Sequence, residues 1–211
     1  MIHPDYNSAK NLKEILDQNG FSMQKKFGQN FLINPDARKK LIDCLDINEN
    51  TKVWEIGPGL GAMTSEILER GADLTVFEID RGFIYLISEF FKHNAEKNKF
   101  RIIEGDVLKN WKKEVEKGKP DRLFGNLPYN IAATIIADTI ENNIRFDKCL
   151  FTVQKEVAQR MCAKAGSEDY SSFSVLCNWA YDIKPVLDLN GNNFWPKPNV
   201  DSRAVIMTQK E

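Results

Sequence analysis

A chain of 211 residues, 42% apolar and 28% charged, is long enough for one sizeable core under a solvated surface. No apolar run approaches the ~20 residues of a membrane-spanning helix, and the opening MIHPDYNSAKNLKEIL lacks the blocks of a secretion signal, so an intracellular, cytoplasmic protein is expected. A formal net charge of −1 does not mark a strongly basic nucleic-acid binder, although residues 1–40 hold seven Lys or Arg (Lys10, Lys13, Lys25, Lys26, Arg38, Lys39, Lys40) against four acids (Asp5, Glu14, Asp17, Asp36).

Residues 1–24 read as an N-terminal appendage, a short amphipathic segment around Leu12–Leu16 followed by a polar connection. Asn34-Pro35 with Ala37, Leu41, Ile42 and Leu45 at helical spacing predicts a capped helix over about 35–46. The chain then alternates. Short β-rich runs at Lys52–Gly57, Asp73–Asp80, Phe100–Asp106, Arg122–Asn126 and Lys148–Gln154 are separated by helical segments near Met63–Arg70, Phe83–His93 and Ala132–Asn142. The stretch LKNWKKEVEKGKPD reads as a charged linker. After helices near Glu156–Lys164 and Ser172–Tyr181, the runs IKPVLDL and RAVIMTQ have no helix between them and predict an antiparallel hairpin at the sheet edge. The whole is a doubly wound α/β domain around a mostly parallel, seven-stranded sheet.

Cys44, Cys149, Cys162 and Cys177 are too scattered for a zinc site and read as buried reduced thiols, while His3 and His93 are too isolated for a metal site or a catalytic triad. No metal is expected.

In such sheets ligands bind beyond the carboxyl ends of the strands. The first strand runs into Glu55-x-Gly57-x-Gly59-x-Gly61, which is not the Gly-x-Gly-x-x-Gly phosphate fingerprint. Glycines let the backbone approach a ligand, and the acid before them favours a cationic or zwitterionic group over pyrophosphate; a tight turn with no ligand is the alternative at this point. Glu78 follows Gly57 by 21 residues, the spacing at which a doubly wound fold puts an acid on a ribose diol. Asp106, at the third strand end, is an acceptor for an adenine amino group. S-adenosylmethionine satisfies all three strand ends.

The fourth strand delivers Asn126-Leu127-Pro128-Tyr129 beside them. An exocyclic base amine is a poor nucleophile because its lone pair is conjugated into the ring. The Asn126 side-chain oxygen and the Leu127 or Pro128 carbonyl can accept its two protons and aim the lone pair at a sulfonium methyl. Transfer is then an in-line displacement helped by orientation and desolvation. Tyr129 offers a stacking face for an extruded base, and Phe194, in NNFWPKPNV, closes the clamp if its loop folds over the pocket.

With KKFGQNFL, EIGPGLGAMT, FEID, GDVL, FGNLPYNIA, VQKEVAQRM and FWPKPNVDS in this order, the chain from Lys25 to about Met207 resembles the rRNA adenine N6-dimethyltransferase family, in its KsgA-type small-subunit branch. The resemblance implies a Rossmann-like class I methyltransferase fold over residues 25–211. It implies cofactor contacts at Asn30, Leu32, Gly57, Gly59, Glu78, Ile79, Asp106, Val107 and Asn126. It also implies dimethylation of two adjacent adenosines in a 3′-terminal hairpin of small-subunit rRNA, carried out by a monomer on an immature ribosomal subunit. Ser171 and Phe173 stand where relatives usually have glycine and leucine, and the small C-terminal helical domain of the family is expected to be missing, since the sequence stops at Glu211. Rival readings are an Erm-type large-subunit rRNA methyltransferase, which shares most of these blocks, and an assembly factor acting mainly by binding. A DNA adenine methyltransferase is more distant, because no segment offers a target-recognition region.

Overall fold

The computed structural model describes residues 3–21 and 29–211. Ser8 caps α1 (Ala9–Gln18) by accepting from the Asn11 amide, and the helix buries Leu12 and Leu16 on one face. The segment set apart by its sequence thus contributes to the same apolar cluster as the sheet. A two-residue strand, β1 (Phe31–Leu32), precedes α2 (Pro35–Asp43), which Asn34 caps as its Asn-Pro start requires.

The alternating part follows as β2 (Lys52–Ile56), α3 (Ala62–Glu69), β3 (Asp73–Glu78), α4 (Arg81–Phe90), α5 (Lys92–Glu96), β4 (Phe100–Glu104), α6 (Val107–Lys117), β5 (Arg122–Asn126), α7 (Tyr129–Glu141), β6 (Lys148–Gln154) and α8 (Lys155–Cys162). The chain closes with α9 (Ser172–Ala180), β7 (Tyr181–Leu189), β8 (Phe194–Trp195) and β9 (Ser202–Gln209). The main sheet has seven strands in the order β4-β3-β2-β5-β6-β9-β7. β2 to β6 are mutually parallel; β9 runs antiparallel to β6, and β7 antiparallel to β9. β1 and β8 form a separate antiparallel pair through Phe31↔Trp195 and Leu32↔Phe194.

Side chains alternate across the sheet, as a pleated strand dictates. Val53, Val76, Phe124 and Leu150 face one cluster with α1 to α4, whereas Trp54, Phe77, Leu123 and Phe151 face a second with α6 to α9. Both faces are covered, so the strands read as near-continuous apolar runs. From β2 the chain winds outward through β3 and β4, then returns to place β5 on the other side of β2. That reversal opens a crevice at the carboxyl ends of β2 and β5.

Two sequence expectations change. LKNWKKEVEKGKPD is largely the helix α6, capped by Asp106. Val107, Leu108, Trp111 and Val115 form an apolar stripe at helical spacing, with the charged residues on the other face, and the high charge of the stretch hid it in the sequence reading. Two polar anchors add to this packing. The Trp111 indole N–H donates to Asp138 at 2.8 Å, and the buried Glu114 carboxylate accepts from Arg101 and Lys117, both at 2.7 Å. The helix expected near Phe83–His93 is interrupted at Phe91, which separates α4 from α5. Ser171 caps α9 in a reciprocal pair with Ser174.

Trp111 is 1% exposed, sits in the second apolar cluster and ties α6 to α7 through Asp138. Trp111→Ala is expected to lower the unfolding free energy by about 3–5 kcal/mol, read by urea denaturation; a loss below ~1 kcal/mol would mean that α6 is not held by this residue.

Candidate active site

A cavity of ≈ 360 Å³ occupies the crevice, lined by the ends of β2, β3 and β5, the turn after β4, the start of α7 and the segment 29–32. The turn after β2 is glycine-dependent for a geometric reason. At Gly59 φ is +57°, and a Cβ there would stand 2.7 Å from the Phe31 ring; at Gly61, the first cap of α3, φ is +90° and a Cβ would meet Phe91 at 2.5 Å. The backbone therefore lies tight between the cavity and the aromatic rings above it.

Glu78 organises this end of the sheet. One carboxylate oxygen accepts from the Ile79 and Asp80 amides at 2.8 and 2.9 Å, and the other from the Gly59 amide at 3.2 Å. Burial raises its pKa more than these hydrogen bonds lower it. Glu55 is 1% exposed, accepts from the Thr64 hydroxyl at 2.7 Å, and is pushed up to about 8 chiefly by burial, with the nearby Glu78 charge adding to it. The pocket thus holds two buried carboxyls that a cation would relieve. Asp106 caps α6 through the Leu108 amide at 3.0 Å, and Ile79, Gly105 and Val107 complete that wall.

On the opposite wall the Asn126 amide nitrogen donates to the Asn30 carbonyl at 3.1 Å. A main-chain carbonyl can only accept, so the amide is held with its nitrogen toward Asn30 and its oxygen turned away. The Leu127 amide continues the β5–β6 ladder onto the Thr152 carbonyl at 3.2 Å. Gly125 makes room for Leu127 to fold back, since a Cβ there would lie 2.8 Å from its side chain. The Pro128 carbonyl accepts the Ile131 and Ala132 amides, both at 3.1 Å, as α7 begins. Of the two carbonyls considered from sequence, Pro128's is therefore committed to the helix.

Asn30, Leu32, Gly57, Gly59, Glu78, Ile79, Asp106, Val107, Asn126, Leu127 and Pro128 all line the cavity. Phe194 does not: it is 5% exposed, paired with Leu32 and packed in the core, where it supports the segment above the pocket. Tyr129 opens α7, and the placement of its ring lies outside the described residues, as does Lys25–Gly28 of the KKFGQNFL stretch. Gln29, Phe31, Met63, Phe83 and Asn130 were not singled out in the sequence and also line the cavity. Gln29 donates to Asp80 at 3.2 Å; its place next to Asn30 was the available signal.

Arg38 is another residue whose role differs from its sequence reading. Counted there with the basic N-terminal edge, it is 4% exposed and donates to the Leu32 carbonyl at 3.0 Å and the Asn7 side chain at 2.7 Å. Its charge ties the N-terminal segment to the strand that covers the pocket. Among the described residues no group of His, Cys, Asp or Glu is placed to hold a metal ion, and no helix is long and apolar enough to cross a membrane.

Residues 20–211 match the family model described as ribosomal RNA adenine dimethylase. The Ribosomal RNA small subunit methyltransferase A of Treponema denticola is 52% identical over 209 residues, covering 99% of this chain and 71% of that protein. The protein of the same name from Borreliella burgdorferi is 43% identical over 207 residues, covering 98% and 72%. Among solved structures, a dimethyladenosine transferase from Plasmodium falciparum aligns at TM-score 0.73 and 30% identity over 84% of this chain and 62% of that one. The 23S rRNA methyltransferase ErmE aligns at TM-score 0.67 and 20% identity over 85% and 69%, a likeness of fold.

The buried carboxyls set a pH dependence. Unfolded Glu55 ionises near its ordinary value of 4.5, whereas folded Glu55 holds its proton to about pH 8. The stability it contributes is fully present below 4.5 and is lost as pH rises through 8. Melting temperature is therefore expected to fall across this window, less steeply in Glu55→Gln; identical pH profiles for the two proteins would show that Glu55 is ionised in the fold.

Proposed function

The chain belongs to the ribosomal RNA adenine dimethylase family, and from that membership we propose that its pocket serves dimethylation of N6 on two adjacent adenosines in a 3′-terminal hairpin of small-subunit rRNA. It is an S-adenosylmethionine-dependent rRNA adenine methyltransferase with a class I fold. The observation that carries the site assignment is the fixed Asn126 amide: its nitrogen is spent on the Asn30 carbonyl, and its oxygen is left to accept.

The residues fit the cofactor. The cavity of ≈ 360 Å³ is flanked by Glu78 and Asp106 where a ribose and an adenine would be recognised, and the glycine turn at Gly57 and Gly59 gives close access to the backbone. Asn30, Leu32, Ile79 and Val107 would hold it from the sides. When bound, S-adenosylmethionine supplies an electrophilic methyl on a cationic sulfur. Glu78 has committed three lone-pair directions to main-chain amides and keeps acceptor capacity on its second oxygen. The buried, cation-seeking carboxyls favour the charged donor over a neutral ligand.

For the substrate, the Asn126 oxygen and the Leu127 carbonyl accept the two protons of the adenine amine. This fixes the nitrogen and leaves its lone pair directed along the line of displacement. Proline at 128 sets the chain direction at this point and starts α7, so the acceptor pair sits on rigid strand and helix ends. Tyr129 is assigned the stacking face. Residues 25–211 act as the catalytic domain and 1–24 as an added segment held by Arg38. The reading extends to a monomer working on an immature small subunit in the cytoplasm; the substrate class itself supports that location.

Asn126→Ala is expected to lower kcat by about three orders of magnitude or more while RNA binding stays within about twofold, measured by labelled methyl incorporation and filter binding. Near-normal turnover would remove Asn126 from the mechanism. Glu78→Ala is expected to weaken cofactor binding at least about tenfold by calorimetry, and unchanged affinity would refute the ribose contact. Mapping N6-dimethyladenosine on both rRNAs after reaction tests the substrate: modification confined to large-subunit rRNA would favour the Erm-type alternative, and none under any condition a binding-only assembly factor.

A further inference from the structure

At the end of the sheet away from the pocket, where the parallel strands begin, the surface has a different chemistry. Trp179, on the last turn of α9, is 63% exposed, whereas Trp54 and Trp111 are buried and Trp195 is partly so. The Arg145 guanidinium, from the loop between α7 and β6, lies 4.5 Å from the centroid of the Trp179 ring. Its Nε is buried with no hydrogen-bond partner. Asp147, two residues on, pairs with Arg122 at 3.0 Å and more distantly with Lys119 at 3.9 Å, so Arg122 neutralises it first. Lys119 also donates to the Arg145 carbonyl at 2.6 Å, so the two cations share one rim. With Asn143 and Gln209 they line an open cavity of ≈ 280 Å³.

These groups make a set of donors beside an aromatic plane. Arg and Lys answer phosphate, the Asn143 and Gln209 amides can donate to its oxygens or to a base edge, and a Trp face with an Arg against it accepts a stacked base. The cationic rim matches a polyanion better than an apolar protein segment. We propose that this face is a second contact for the RNA substrate, with Trp179 stacking an unpaired base and Arg145 and Lys119 taking the adjoining phosphate. It rests on the reading of the chain as an rRNA methyltransferase.

The two sites lie at opposite ends of the strands. At ~3.3 Å per residue, the five residues of β5 separate them by at least roughly 16 Å, so an RNA touching both must pass around the edge of the domain. A short hairpin entering the catalytic pocket does not reach Trp179; a large folded RNA can. The face would then select the extended substrate and leave the chemistry of a minimal one alone.

The test uses tryptophan fluorescence and filter binding with a single-stranded RNA oligonucleotide, an isolated small-subunit hairpin and small-subunit rRNA, on wild type, W179F and R145E. The oligonucleotide and the rRNA are expected to quench a component absent from W179F. R145E is expected to weaken rRNA binding about tenfold and to reduce the slope of log affinity against log salt by about one. Its S-adenosylmethionine affinity and its turnover on the hairpin stay at wild-type values, which also shows that the variant is folded. Equal quenching of wild type and W179F, or unchanged rRNA affinity in R145E, overturns the proposal; so does crosslinking of this face to a protein and not to RNA in extract. Normal methyl transfer without the Trp179 signal sinks this contact alone. Absence of transfer to every RNA, with the signal present, sinks the catalytic reading and leaves the contact standing.

Discussion

The carboxylate of Glu78 is the point on which the pocket depends. It gathers main-chain amides from the glycine turn after β2 and from the start of α4, elements that adjoin only because β2 and β3 pair in register. A buried carboxylate is costly unless its lone pairs are met. Meeting them with backbone N–H groups makes the acid a clamp between two loops as well as an acceptor in the cavity. Glu55 and Glu78 are both raised above the ordinary carboxylate range chiefly by removal from water; the Glu78 charge raises Glu55 further, and Asp80 does the same to Glu78. The site is accordingly destabilised in a way that a cationic ligand relieves, a local departure from best packing of the kind found where a fold carries function.

A second constraint comes from above. β1 and β8 are two residues each and contribute little as a sheet, yet they lay Phe31 and Leu32 over the glycine turn and set the Asn30 carbonyl against Asn126. Arg38 holds this segment from the far side through the Leu32 carbonyl, and Phe194 supports it from within the core. The Asn126 amide is thus oriented by a segment almost a hundred positions earlier in the chain. At the opposite end of the domain the Arg145 guanidinium lies against the exposed Trp179 ring, while Lys119 and Arg122 share Asp147.

Much of the fold was legible because hydrophobic period and turn chemistry reported it directly. Each of the seven runs read as strands is a strand of the main sheet, and the helix-free final pair is antiparallel at its edge. The misses have physical causes. α6 carries its apolar stripe, Val107, Leu108, Trp111 and Val115, within a run dominated by charge, so composition hid the helical period, and the Trp111 and Glu114 hydrogen bonds to groups far along the chain show only in the fold. β1 and β8 are too short for any periodicity. Arg38 looked like surface charge because burial of an arginine is decided by whether distant carbonyls converge on it, as those of Leu32 and Tyr6 do. The committed Pro128 carbonyl follows from where α7 starts, a boundary that propensity places only loosely.

By itself the sequence determined the order of strands and helices, the glycine turn that nothing bulkier fits, and the acids and amide at the strand ends, because each follows from the residue's own stereochemistry or from neighbours a few positions away. Only the tertiary structure decided that the Pro128 carbonyl is spent on α7, which way the Asn126 amide points, how Glu78 spends its lone pairs, and that Phe194 supports the pocket from the core without lining it. Those outcomes depend on hydrogen bonds and packing between segments far apart in the chain. Such contacts exist only once the sheet has brought the segments together.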